Sequence, residues 1–281
     1  MRSKFPGLPP TLPACLSWFL LVPEIALLTV LLCCYLSIGR PLLLAALTIG
    51  VVISFAIRIT CLHLARSALD AGRDEAGALL RLAHLLHPWS ADTYALTGLL
   101  ALSNDAPREA EQLFRQAIQL LPGQAVLYAA LSNALLASGQ PAPAAAAARQ
   151  ACLLNPGYAL AYLYLAEAER ACGASSYAIE DRLREGLGMT QDVTMMAALQ
   201  CALVEHLLRE QRIAEATLLL HSVELHLQRC PASRQLELRF QLGKVLASQG
   251  MVDQARQHFQ GVEGLDPHGR YVTATWWSAR L

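Results

Sequence analysis

ADTYALTGLLALSNDAPREAEQLFRQAIQLLPGQ, residues 91–124, is followed at once by AVLYAALSNALLASGQPAPAAAAARQACLLNPGY, residues 125–158. Laid one under the other, they repeat. Pro88, Pro122 and Pro156 stand 34 residues apart, as do Tyr94, Tyr128 and Tyr162, and Ala76, Ala110, Ala144 and Ala178 keep the same step. Two antiparallel helices pack closely only where a small residue sits at their crossing and a large residue fills the groove beside it, and a proline stops the second helix. Tyr94, Gly98, Ala110, Phe114, Ala117 and Pro122 supply these sites in order; Tyr128, Leu131, Ser132, Ala144, Ala151 and Pro156 supply them again, with Ala148 where an aromatic stood. A single pair cannot bury its faces alone, so neighbouring pairs must stack.

This period with these residue types resembles the tetratricopeptide repeat (TPR) family. The resemblance implies an all-α fold, a TPR-like α-solenoid. Residues 236–269 match again through Leu242, Gly243, Leu246, Gly250, Ala255, Phe259, Val262 and Pro267. Between Pro156 and Pro231 lie 75 residues, two repeats and seven more, and the pattern there is degraded. Arg182 and Glu185 stand where an aromatic and a small residue belong, which predicts an altered repeat over 159–192. Residues 193–231 read as a lengthened pair, with Ala216, Leu220 and Val223 on its second helix. Upstream, Ala76, Leu80, Ala83 and Pro88 form a second helix whose first helix is residues 58–69.

The chain has 281 residues, 54% apolar and 16% charged. A soluble domain carries about 25% charge, so part of this chain faces lipid or a wide helical interface. Its net charge of zero gives no support to a polyanion-binding surface of the nucleic-acid type. Up to residue 58 there are four basic residues and one acid, leaving 18 basic and 21 acidic residues beyond. Two runs in this basic head, 24–40 and 41–58, carry no charge between Glu24, Arg40 and Arg58. Each is roughly 25 Å of helix, the short end of what spans a bilayer. The tight link at residues 37–41 predicts a two-span transmembrane hairpin. Arg2, Lys4, Arg58, Arg66 and Arg73 outweigh the turn's Arg40, so both ends belong in the cytoplasm. The apolar region runs far past the h-region of a cleavable leader. Glu24 reads in two ways: a carboxylate inside the membrane, or a helix start after Pro23, with residues 16–22 in the interface. The predicted organisation is therefore an interfacial tail over 1–23, a hairpin over 24–58, a solenoid of five to six helix pairs over 58–267 and a cap over 268–281. No Gly or Pro separates the second span from the first repeat, so one helical rod from about Pro41 to Asp70 is expected.

Eight cysteines are scattered without a CxxC pair and read as buried free thiols. There is no Walker loop, GxSxG, HExxH or GxGxxG. His84 and His87 lie three apart without a third ligand, and read as exposed or helix-terminal histidines. His221 and His226 are poorly aligned for one face, and Glu205, Glu210, Glu215 and Glu224 read as solvated faces. No enzyme, cofactor or metal site is expected.

What remains is a partner groove. In TPR arrays the first helices line the concave surface, which here assigns Ala95, Leu99, Leu102, Ala129, Asn133, Leu136, Leu163, Glu167 and Arg170. Family members that hold a terminal carboxylate use lysines and arginines there. Ala95 and Ala129 replace lysines, so an apolar helix or a broad protein surface suits the groove better, unless these leucines merely pack the superhelix. Trp276 and Trp277 either cap the solenoid or dock a partner. The whole arrangement resembles the PelE family, the inner-membrane TPR component of the Pel exopolysaccharide system. That resemblance implies a scaffold at the cytoplasmic face of a bacterial inner membrane. Its partners would be other inner-membrane complex subunits (a cyclic-di-GMP receptor, a glycosyltransferase or a transporter) and the lipid bilayer. The alternative is a periplasmic-facing TPR assembly factor, as in cytochrome c maturation.

Overall fold

A computed structural model describes residues 41–70 and 75–266, and every element among the described residues is an α-helix. The chain divides into two compact units, Met1–Pro122 and Gly123–Leu281.

The first unit holds α1 (Pro41–Asp70), α2 (Ala76–Leu86), α3 (Ala91–Ser103) and α4 (Pro107–Leu120). α1 is a single helix of 30 residues, the rod that the absence of a breaker predicts. It has two characters. Leu47, Ile49, Val52, Ile53, Phe55 and Ile57 are exposed, whereas from Arg58 onward one face is buried through Arg58, Cys61, Leu62, Ala65 and Ala68. That face forms a core with Leu80 and Ala83 of α2 and Leu96 of α3. Over Ala46–Leu69, α1 is long and apolar enough to cross a membrane, and no other helix among the described residues is. The other half of the expected hairpin, residues 24–40 with Glu24, lies outside the described residues, as does the tail over 1–23. Of the two expected spans, the described residues therefore show the second only.

The α3/α4 pair shows why the repeat needs its small residues. A Cβ on Gly98 would stand 2.8 Å from Phe114 Cε1, so only glycine lets the fully buried Phe114 ring lie against α3. Ser90 caps α3 by accepting the Thr93 amide at 3.4 Å. Pro107 occupies the first turn of α4, where its missing amide costs nothing.

The second unit holds α5 (Ala125–Ala137), α6 (Pro141–Leu154), α7 (Ala159–Ala171), α8 (Ser176–Met189), α9 (Val193–Arg209), α10 (Ile213–Leu227), α11 (Ala232–Ser248) and α12 (Val252–Leu265). At the α5/α6 crossing, Ala144, Ala148 and Ala151 are wholly buried, and the buried Ser132 hydroxyl donates to the Ala144 carbonyl at 2.9 Å. Gly243 repeats the arrangement of Gly98, its Cβ position 2.8 Å from Phe259 Cε1. α9 has 17 residues against 13 in α3, α5 and α7. The inner turns of the five pairs from α3/α4 onward use left-handed backbone. Glycine takes it at Gly139, Gly173 and Gly250, but Asp105 (φ 58°) and Gln211 (φ 60°) take it with a side chain.

The altered repeat at 159–192 has a simple cause. The turn between its helices spans four residues, 172–175, where the two preceding pairs use three, 104–106 and 138–140. Every site on α8 is therefore displaced by one. Ile179, Leu183 and Gly186 are buried one position after Ala178, Arg182 and Glu185, and Gly186 meets Tyr162, its Cβ position 2.8 Å from Tyr162 Cβ. The sites expected at Arg182 and Glu185 are not lost but moved, and Ala178, only half-buried, falls on the 34-residue ladder by coincidence. Arg182 is then free to hydrogen-bond Glu185 and to approach Glu169 at 3.9 Å. Pro267 and the segment 268–281, with Trp276 and Trp277, lie outside the described residues.

Candidate partner-binding face

Within the second unit the first helices of successive pairs touch in sequence, α5 on α7, α7 on α9 and α9 on α11, and so form a continuous layer. In the first unit α1 and α3 touch in the same way. The faces of these two layers, each within its own unit, carry most of the residues expected to line a groove. Leu99 is 43% exposed, and Leu102 and Ala95 are half-buried. Asn133, Leu136 and Arg170 are half-buried and Glu167 is exposed. Leu163 packs against the core of the second unit, the structural role the sequence left open for these leucines. Ala129 does not belong to the face. It is wholly buried, in a cluster with Ala125, Ala151 and Ala161 against which Tyr128, Tyr158 and Tyr164 pack.

Charge on the second unit's layer is mixed. Burial holds the Arg170 guanidinium below its ordinary value, with Glu205 and Glu167 acting against that and Arg209 reinforcing it. Its Nε is shut off from solvent and has no hydrogen-bond partner. Arg209 pairs with Glu205 at 2.5 Å, and Arg234 with Glu237 at 2.8 Å. The Tyr164 hydroxyl is pushed up to about 12 by burial, then by Tyr158 and Glu167, with Arg234 opposing and Glu237 adding. Three carboxylates thus stand among three guanidiniums, a surface that suits neither a polyanion nor a lone carboxylate. Arg209, Arg234 and Glu237 escaped the sequence reading, and Glu205 entered it only as a solvated face, because the 34-residue frame is lost between residue 192 and the match that resumes at 236. The useful signal was the alternation of Arg and Glu at three- and four-residue steps.

Behind this layer two ionic networks tie helices together. The Glu180 carboxylate, nearly buried, accepts from Arg212 at 2.5 Å, and Arg212 also holds Glu215 at 2.6 Å. Arg239, 7% exposed, grips Glu224 with two hydrogen bonds, of 2.5 and 3.0 Å. Burial pushes the Glu224 carboxyl up, but Arg239 outweighs it and holds the group below its usual value. Glu224 is therefore not on a solvated face, as the sequence suggested. Nearby, burial and then Arg239 lower His258 from 6.5 to about 4.

No group of His, Cys, Asp or Glu among the described residues could hold a metal ion. His84 is exposed and meets the Tyr94 ring edge-on at 5.7 Å, whereas His87 is buried at the end of α2. The described cysteines are free: Cys61 and Cys230 are buried and Cys152 and Cys201 half-buried, but Cys172 is exposed. Burial raises the Cys152 thiol to about 11 and the Cys201 thiol to about 12, so neither is a nucleophile at neutral pH.

No family model and no curated protein sequence matches the chain. Among solved structures it is similar to PilF of Pseudomonas aeruginosa, with 18% identity and a TM-score of 0.54, over 81% of this chain and 99% of that one. It is similar to PilW, a type IV pilus biogenesis factor, with 17% identity and a TM-score of 0.56, over 78% and 98%. A third is a thermophilic TPR protein of Thermus thermophilus, with 16% identity and a TM-score of 0.50, over 79% and 97%. At these identities the likeness is one of fold: the chain is a helical-repeat solenoid whose structural neighbours are TPR proteins.

Proposed function

We propose that the protein is a non-enzymatic scaffold, anchored in a bacterial inner membrane, whose first-helix layers bind other proteins at the cytoplasmic face. The observation that carries the reading is α1. Residues 46–57 of that helix are largely exposed and apolar, while residues 58–69 of the same helix build the core of the first pair. An exposed apolar surface of this size needs lipid or protein to cover it, and a helix without a break fixes the repeats to whatever covers it.

The partner-binding surfaces in this proposal are two, one in each unit: Asn133, Leu136, Glu167 and Arg170 in the second, with Leu163 mainly supporting, and Leu99 and Leu102 in the first. Half-buried leucines beside balanced charge suit a folded protein surface or an amphipathic helix rather than an acidic tail. Subunits of a Pel-like exopolysaccharide complex, a receptor, a glycosyltransferase or a transporter, are the proposed partners. Membrane orientation follows from the basic flank at Arg58 and Arg66. Alkaline phosphatase and a fluorescent protein, each fused after Leu281, test it. A fluorescent, phosphatase-negative result is expected; active phosphatase with a dark reporter would replace this reading with the periplasmic assembly factor.

A further inference from the structure

An apolar stripe outside α1 has no role in the repeat. Ala78, Leu82 and Leu85 follow one another at steps of four and three along α2, which places them on one side, and Trp89 follows in the turn after the helix. Leu82 is 44%, Leu85 78% and Trp89 60% exposed. Helix packing fixes the height of this stripe. α2 returns antiparallel along α1, with Leu80 and Ala83 in one core with Cys61, Leu62 and Ala65. Measured from the turn at a rise of roughly 1.5 Å per residue, Leu86 is level with residue 60. Trp89 follows in the turn, three residues beyond Leu86. Close to that level α1 changes character: Arg58 is buried with its guanidinium 5.3 Å from the Phe55 ring centre, and residues 46–57 before it are largely exposed and apolar.

Resting on the reading of α1 as a membrane span, we infer that Leu82, Leu85 and Trp89 dock on the bilayer interface beside α1, so that the first repeat lies on the membrane at a second point. The occupant is lipid because α2 ends near the level where the largely exposed apolar stretch of α1 begins, with Leu85 and Trp89 exposed at that end. Tryptophan suits the site, with an apolar ring for the acyl boundary and an indole N–H for the headgroups. A single helix leaves a body free to tilt and turn; a second contact one helix away removes that freedom and sets the direction the first helices of the first unit face.

The test uses the full chain in phosphatidylcholine vesicles, with Trp18, Trp276 and Trp277 changed to Phe so that Trp89 is the sole tryptophan. Lipids brominated near the headgroup end of the acyl chain should quench Trp89 strongly, with emission shifted to shorter wavelength, while aqueous acrylamide quenches it weakly. A companion chain carries Trp89→Phe and Phe55→Trp as the probe of the span. If that probe is quenched by brominated lipid and Trp89 is not, the interfacial contact is overturned and the span stands; if neither is quenched, both readings fall. Photoactivatable phosphatidylcholine on the unaltered chain reads the same surface without substitutions. Label on the peptide containing residues 82–89 supports the contact, and label confined to α1 overturns it.

Discussion

Two glycines in α8, two residues apart, should respond to the same substitution with opposite signs. Alanine in a helix interior gains about 1 kcal/mol over glycine. At Gly188 a Cβ meets nothing within 4 Å, so Gly188→Ala should add about 0.5–1 kcal/mol. At Gly186 the Cβ would lie 2.8 Å from Tyr162 Cβ, 3.1 Å from its Cγ and 3.2 Å from Leu199 Cδ1. Tyr162 Cβ is fixed to the α7 backbone and cannot rotate away, so α7 and α8 must separate. Overpacking of this kind costs about 1–3 kcal/mol, and after the propensity gain Gly186→Ala should lose up to about 2 kcal/mol. Urea unfolding of the full chain in mild detergent, followed by far-ultraviolet circular dichroism, reads the difference. With an m of about 2 kcal/mol per molar, the two midpoints should separate by roughly 1 M, on either side of the parent. If both variants raise the midpoint, Gly186 is not at the crossing and the one-residue displacement of α8 is wrong. Glu185→Ala, which removes only a half-exposed ion pair, should change stability by less than about 1 kcal/mol.

Ala144→Leu forces a branched side chain into a wholly buried crossing and should lower the same midpoint by the equivalent of about 1–3 kcal/mol. Gln211→Gly relieves a left-handed residue at φ 60° and should raise it by about 0.5–1 kcal/mol. His258 is lowered in the fold from 6.5 to about 4, so the unfolded chain binds the proton first. Its contribution is complete above pH 6.5 and is lost as pH falls from 6.5 toward 4, by an amount of order 3 kcal/mol. Stability measured against pH should show this acid limb, and His258→Gln should flatten it.

The parts of the fold legible in the sequence are those fixed by steric contact at constant spacing. Gly98 with Phe114 and Gly243 with Phe259 are each 16 residues apart and make the same 2.8 Å approach. The unbroken α1 was legible for the same local reason, the absence of Gly or Pro between residues 51 and 70. One extra residue in the turn 172–175 was enough to defeat a fixed-period reading. It set Arg182 and Glu185 on sites that Leu183 and Gly186 fill, and made Ala178 look like a member of its ladder. Ala129 was placed on the face by family position, yet three tyrosines cover the cluster it belongs to. The ionic networks were illegible for another reason: Arg212 reaches Glu180 across 32 residues and Arg239 reaches Glu224 across 15, separations with no period to betray them.

Hydrogen exchange along α1, in the full chain in lipid nanodiscs, tests the central claim most directly, that one rigid helix joins the bilayer to the first repeat. The account predicts slow exchange at every amide from Val52 to Ala68, with no break at Arg58, because the first half is shielded by lipid and the second by α2 and α3. Amides at Ile57, Arg58, Ile59 and Thr60 exchanging as fast as those of the exposed turn at Gly123 would contradict it, and would make α1 a tether with a hinge rather than a rod.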